Sequence, residues 1–271
     1  MHGRTNWNLW QRAEFSIPQI ASVYHQLMLN LGYPHYIGQG GDWGSLILRA
    51  MALAYPGACI GIHLNFLVPL PPTLMKNPIT LLWSALGWFT PEEKKRLARM
   101  QWWIENETGY QKIHGTKPQT ICYGLLDSPV GMLAWIGEKL NCLVEPGYAW
   151  DKEMVITWTM LYLLSGSSWQ ARIYKEAFRT LPEAVMQKKI SSQVAFGVSC
   201  FPFDVYFSPR WWAKAMIAEN IVFWKEHSKG GHFPSIECSE VLKADIWEFV
   251  RNIPEGKRVL LGGNSKGLAR L

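Results

Sequence analysis

The segment Tyr36-Ile-Gly-Gln-Gly-Gly-Asp-Trp-Gly-Ser45 carries the strongest chemical signal in this 271-residue sequence. A short strand-like run leads into a Gly-rich turn, and a helical pattern follows. At the apex sits Asp42, flanked by Gly40, Gly41 and Gly44. A strand–turn–helix junction of this kind presents its apex side chain at a strained, exposed position, as a nucleophile elbow does. The familiar elbow holds serine, which suits attack on carbonyls. A carboxylate can instead displace a leaving group at saturated carbon and become an alkyl ester.

Two further polar residues fall just past predicted strands. Asp204 follows Phe201-Pro-Phe203, and His232 follows Gly230-Gly231. In open α/β sheets, sites form beyond the carboxyl ends of the strands. The chain order nucleophile, acid, histidine is that of the α/β-hydrolase triad. Alone, each residue has an ordinary explanation: a Gly-Gly-Asp turn or N-cap, a post-strand Asp that caps, a structural His. Together they predict a division of labour. Asp42 must be ionised to attack, and the N-terminus of the following helix favours negative charge. His232 must be neutral to take a proton from water. Asp204 fixes its tautomer and stabilises the imidazolium that forms.

The elements that must position these groups follow from periodicity. Apolar residues at Ile20, Val23, Leu27, Met28 and Leu31, then Gly32, predict an amphipathic helix over 18–31. A strand over about 35–39, a buried helix from Ser45 to Ala54 and a strand over 59–66 come next. Alternating helices and strands argue for an α/β fold with a parallel sheet. Strand signals return at 193–200 and 220–225, and an amphipathic helix spans about 239–251. Between 67 and 190 the signals are helical, with starts at Thr90-Pro91, Ser128-Pro129 and Asp151. The expected division is a core of 1–66 and 191–251, a helical lid of 67–190 and a loose tail of 252–271. Asp127 reads as a residue at a helix start.

Composition bounds the function. Hydrophobic content of 48% with 18% charge fits a globular protein with a sizeable core. Fifteen Trp residues suit core filling and, collectively, an apolar cavity. The net charge of +6 is scattered and forms no nucleic-acid stripe. Five widely spaced Cys predict a reducing compartment without disulfides. No apolar run reaches the roughly 18 residues of a membrane span, and no signal peptide opens the chain. His25, His35, His63, His114 and His227 show no metal-ligand spacing. Trp102-Trp103 and Trp211-Trp212 read as packing.

Beyond the triad, a set of collinear stretches resembles the microsomal-type epoxide hydrolases and their fungal relatives. They are Leu27-Met-Leu-Asn-Leu-Gly32, Gly40-Gly-Asp-Trp-Gly-Ser45, Gly109-Tyr110, Thr116-Lys-Pro118, Leu126-Asp-Ser-Pro-Val-Gly131, Tyr174-Lys-Glu176, Phe201-Pro-Phe203 and Gly230-Gly-His-Phe233. The resemblance implies an α/β-hydrolase core, here incomplete and mostly parallel, with an inserted helical lid. It implies that Asp42 opens a hydrophobic epoxide and that Tyr110 and Tyr174 protonate its oxygen. His232 with Asp204 then activates water to release a diol. No metal or organic cofactor is implied. The partners are the epoxide and water, with no nucleic acid. The expected location is cytoplasmic, with peripheral association at the endoplasmic reticulum membrane as the variant.

The chain departs from the family before the elbow. The family's first strands and its His-Gly-x-Pro loop, which gives one of two oxyanion donors, have no counterpart in the 41 residues that precede Asp42. His2-Gly3-Arg4-Thr5 lacks the Pro and lies too close. The Trp43 N–H remains as a donor. This predicts an N-terminally truncated product with an exposed elbow strand and weak or absent activity. Two alternatives stay open: a haloalkane dehalogenase-like hydrolase, and an inactive or ligand-binding remnant. Tyr110 and Tyr174 favour epoxide over halide.

Overall fold

Four short strands build one parallel sheet. The computed structural model describes residues 15–166 and 168–262. In chain order the strands are β1 (Tyr36–Gly40), β2 (Cys59–Leu64), β3 (Ala195–Cys200) and β4 (Ile221–Glu226), and their spatial order is the same. All three pairings are parallel. Every residue of β2 and β3 is buried, as expected for parallel strands covered on both faces. β1 is an edge strand, paired on one side only among the described residues.

One face of the sheet is covered by α1 (Ile17–Asn30) and α2 (Asp42–Ala54). A capping box between Ser16 and Gln19 and an early Pro start α1, which buries Ile17, Ile20 and Ala21. Its outer side leaves Val23, Tyr24, Leu27 and Leu31 exposed. Helix α2 is buried at Leu46, Ile47, Ala50 and Met51, which join the main core. The opposite face is covered by α12 (Ser239–Asn252). Gly61 and Gly197 leave a notch there for Phe249, since a Cβ on Gly197 would lie 2.5 Å from its ring. Beside that notch, Ser199 donates to Asp245 (2.7 Å), while His63 and His227 pair with Ser199 and Asp245 (3.0 and 2.5 Å). The network ties α12 to the sheet.

Between β2 and β3 the named elements are all helical: α3 (Pro78–Ala85), α4 (Pro91–Asn106), α5 (Gly109–Thr116), α6 (Pro118–Asp127), α7 (Pro129–Cys142), α8 (Lys152–Ser165), α9 (Ser168–Leu181) and a π-helical turn, Pro182–Met186. Thr90, Ser128 and Asp151 cap as their sequence context predicts, accepting from the backbone N–H of Glu93, Gly131 and Glu153. Short helices follow β3, β4 and α12: α10 (Arg210–Met216), α11 (Pro234–Glu237) and α13 (Glu255–Leu261).

Three expectations need correction. The helix after the elbow begins at Asp42 rather than Ser45, because Gly41 takes extended backbone and serves as N-cap. The tail is not wholly loose: Pro254 ends α12 and presets the first turn of α13. Residues 263–271, and the His2–Thr5 segment, lie outside the described residues. Asp127 closes α6, and it is Ser128 that starts α7. No helix among the described residues is long and apolar enough to cross a membrane. No disulfide joins the five cysteines among the described residues.

Candidate active site

Asp42 has φ of +42°, the one positive value outside glycine among the described residues. That conformation costs an L-residue ~1–2 kcal/mol, so its surroundings must hold it. Gly40 lets the strand end touch the helix start, since a Cβ there would lie 2.9 Å from the Gly44 carbonyl carbon. Asn65, at the end of β2, packs against Gly41 and accepts from Gln39 Nε2 (2.7 Å). Ser45 closes the turn through its backbone N–H to Gly41 O (3.1 Å) and its hydroxyl to Asp42 O (2.7 Å). The Trp43 and Gly44 N–H groups precede the first helical bond, so they remain free to act as donors at the positive end of α2. The Asp42 carboxylate itself is half exposed.

The loops after β3 and β4 bring the other two members to it. Phe203 N donates to Gly230 O (3.1 Å), and His232 N donates to Leu143 O (2.8 Å). Arg99, on α4, donates from Nη2 to the carbonyls of Phe203 (2.8 Å) and Cys142 (3.1 Å). Gly231 permits the close approach, since a Cβ there would lie 2.6 Å from Leu143 O. His232 Nδ1 lies 2.8 Å from Asp204 Oδ1, which also accepts from Val205 N (2.7 Å). His232 Nε2 faces Asp42 Oδ2 at 3.8 Å.

Burial of His232 favours the neutral ring. The carboxylates of Asp204 and then Asp42 outweigh it and push the imidazole up to about 10. In this resting arrangement the two carboxylates therefore favour the imidazolium. Only when Asp42 loses its charge does part of that upward push disappear.

Asp42, Trp43 and His232 open onto a cavity of about 730 Å³. Tyr110 from α5 and Tyr174 from α9 line the same cavity, with ring centroids 5.7 Å apart. Tyr174 also meets the Trp43 ring edge-on at 4.8 Å. Burial first, then the negative charge of Asp42, pushes the Tyr110 hydroxyl up to about 12. Tyr174 is raised well above the ordinary value by burial, by Tyr110 and by Asp42. Both hydroxyls therefore stay protonated and available as donors. The remaining walls are largely apolar and aromatic, including Phe66, Trp103, Leu143 and Trp158.

The structure thus brings Asp42, Asp204, His232, Tyr110, Tyr174 and Trp43 to one place. Sequence reasoning missed several polar residues of this cavity. Tyr206 lies two residues beyond Asp204, and Tyr162 comes from α8; burial, with the charge of Asp42, raises both. Gln111 and His114 lie on α5 within a turn of Tyr110, and burial pushes His114 down to about 4. Their helical spacing from Tyr110 was the available signal. Glu107, Glu138 and Cys142 form a cluster of metal-ligand types, but Lys139 already contacts both carboxylates at 2.7 and 3.0 Å.

No protein-family model matches the sequence. Epoxide hydrolase 1 of Sus scrofa is 30% identical over 259 residues, 87% of this chain and 55% of that protein. The solved epoxide hydrolase of Aspergillus niger superposes with a TM-score of 0.77 at 32% identity, over 89% of this chain and 59% of that one. The juvenile hormone epoxide hydrolase of the silkworm Bombyx mori gives 0.81 at 28% identity, over 89% and 60%. The chain spans about half the length of the curated relatives it matches. In sequence and in fold, over nearly nine tenths of its own length, the chain is similar to epoxide hydrolases with the α/β-hydrolase fold.

Proposed function

We propose that this chain opens hydrophobic epoxides to vicinal diols through an ester on Asp42, with the segment 67–190 acting as a lid. One observation carries the reading. A strained carboxylate stands 3.8 Å from an Asp-paired histidine, and two protonated tyrosines line the same cavity. Asp42 attacks a ring carbon, and the C–O bond breaks toward the oxygen. Tyr110 and Tyr174 donate to that oxygen, and one of them passes it a proton. The negative charge thus moves from Asp42 to a tyrosinate.

Ester formation neutralises Asp42 and lowers the His232 pKa, so the imidazolium releases its proton to solvent, to be regained when the carboxylate returns, and the neutral ring becomes a base. His232 then takes a proton from water, and the hydroxide adds to the ester carbonyl. The Trp43 N–H supports the oxyanion. Collapse frees the diol and restores the carboxylate, and the imidazolium returns a proton to the tyrosinate. The substrate is an apolar epoxide, because the walls offer mostly aromatic and aliphatic surface.

The test is diol formation from an aryl epoxide by the parent and by Asp42→Ala. The reading requires that the variant form none. An Asp42→Ala chain that still makes diol at the parental rate removes Asp42 from the reaction. Binding by both chains without turnover by either makes the protein a ligand-binding relative instead.

A further inference from the structure

A tyrosine that donates to an epoxide has one proton and must aim it. Tyr110 is aimed by something besides its rotamer. Gln111 Nε2 donates to the Tyr110 hydroxyl oxygen at 3.1 Å. That bond fills one acceptor direction on the oxygen and turns the Tyr110 proton away from Gln111. Gln111 itself lines the cavity that holds Asp42. We propose that Gln111 is a positioning residue for ring opening, one that orients the Tyr110 proton toward the epoxide oxygen and holds the tyrosinate formed when that proton leaves.

The inference rests on the epoxide-opening reading above and adds a group to it. In the ground state the contact is a neutral hydrogen bond. Once Tyr110 has given its proton to the oxygen, as the ring C–O bond breaks and the Asp42 ester forms, the same contact becomes charge-assisted and about twice as strong. The gain appears only on the way to the transition state, so it speeds the step without tightening substrate binding. Gln111 lowers the hydroxyl pKa of Tyr110 and of Tyr206, against the burial that raises both. Tyr206 belongs to the loop that carries Asp204. The amide thus bears on a donor from α5 and on the acid loop of the sheet. The other groups facing Tyr110 are Asp42, Tyr174, His114 and Lys139, the last with Nζ 5.5 Å from its ring centroid. None is replaced in the variants below.

The experiment is single-turnover ring opening of an aryl epoxide, followed as ester on the Asp42 peptide by rapid quench and mass analysis. Q111L removes the donor, and Q111E keeps the shape but presents a carboxylate. Each is expected to form ester about tenfold more slowly at saturating substrate. In a Y110F background, Q111L is expected to add no further loss, because its effect passes through the Tyr110 hydroxyl. A turnover-free readout uses 3-nitrotyrosine placed at position 110, whose visible absorbance reports its ionisation; its pKa is expected to rise in Q111L. Ester formation by Q111L at the parental rate overturns the inference and leaves the Asp42 reading standing. An equal loss in the Y110F background, or an unmoved nitrotyrosine pKa, also overturns it. No ester on Asp42 in the parent overturns the reading itself, and the inference with it.

Discussion

Replacing Asp204 by Asn separates the two halves of the proposed reaction. The Asp204 side chain is almost fully buried, and its Oδ1 lies 2.8 Å from His232 Nδ1. Its charge is the largest of the influences that raise the His232 pKa against burial. A hydrogen bond to a charged group is worth ~1.5–3 kcal/mol, or about 10–150-fold in rate. A mis-set tautomer adds to that, and loss of the acid in a serine triad reaches about 10⁴. Ester hydrolysis should therefore fall by about 10²–10⁴, while ring opening by Asp42 changes little. The assay is rapid quench with enzyme in excess over an aryl epoxide, measuring the esterified fraction of the Asp42 peptide against time. Asp204→Asn should accumulate ester close to stoichiometrically. Hydrolysis needs neutral His232, so its rate rises as pH increases through the His232 pKa of the ester form. Losing the Asp204 charge moves that limb to lower pH and lowers its plateau. The reasoning is refuted if ring opening slows as much as hydrolysis, or if the limb moves to higher pH.

The raised His232 pKa also predicts how stability depends on pH. A folded-state pKa of about 10, above the ordinary 6.5, gives stability that is complete below 6.5 and lost as pH rises through 10. Urea titrations across that window should show a smaller decline for His232→Gln than for the parent. Gly40→Ala drives a methyl against the Gly44 backbone at 2.9–3.0 Å. It should cost ~1–3 kcal/mol in denaturant midpoint and slow ester formation, because the elbow must shift. Phe249 is fully buried in the glycine notch of the sheet. Phe249→Ala should cost ~3–5 kcal/mol by the same titration, about as much as any single core truncation here.

The strands and the elbow were legible because their signals are local. Gly40-Gly41-Asp42 names a turn that only a small residue on either side can make, and residues 59–66 alternate as a strand does. The three candidate positions, Asp42, Asp204 and His232, follow from one rule, that sites lie past the carboxyl ends of strands. Helix starts were legible at Thr90 and Ser128 because a Pro follows each at the first helical position, and at Asp151 because an acidic residue suits an N-cap. The start of α2 was not, because Gly41 is an unassertive N-cap and the apex residue already belongs to the helix. Pro254 looked like the start of a tail and instead begins α13. Gln111 and His114 had only their nearness to Tyr110 on α5 as a signal, and Tyr162 and Tyr206 had none in one sequence. Their role depends on α5, α8 and the β3 loop meeting over Asp42, which is long-range packing. The Phe249 notch was equally hidden, since it needs Gly61 and Gly197 side by side on paired strands.

The central claim is that Asp42 becomes covalently attached and that water then attacks its carbonyl carbon. A single turnover of an aryl epoxide in ¹⁸O water, followed by mass analysis of the Asp42 peptide and of the diol, tests it directly. The account predicts ¹⁸O in the Asp42 carboxylate and unlabelled diol from that first turnover. Labelled diol with an unlabelled Asp42 peptide would mean that water attacks the epoxide itself, and would contradict it.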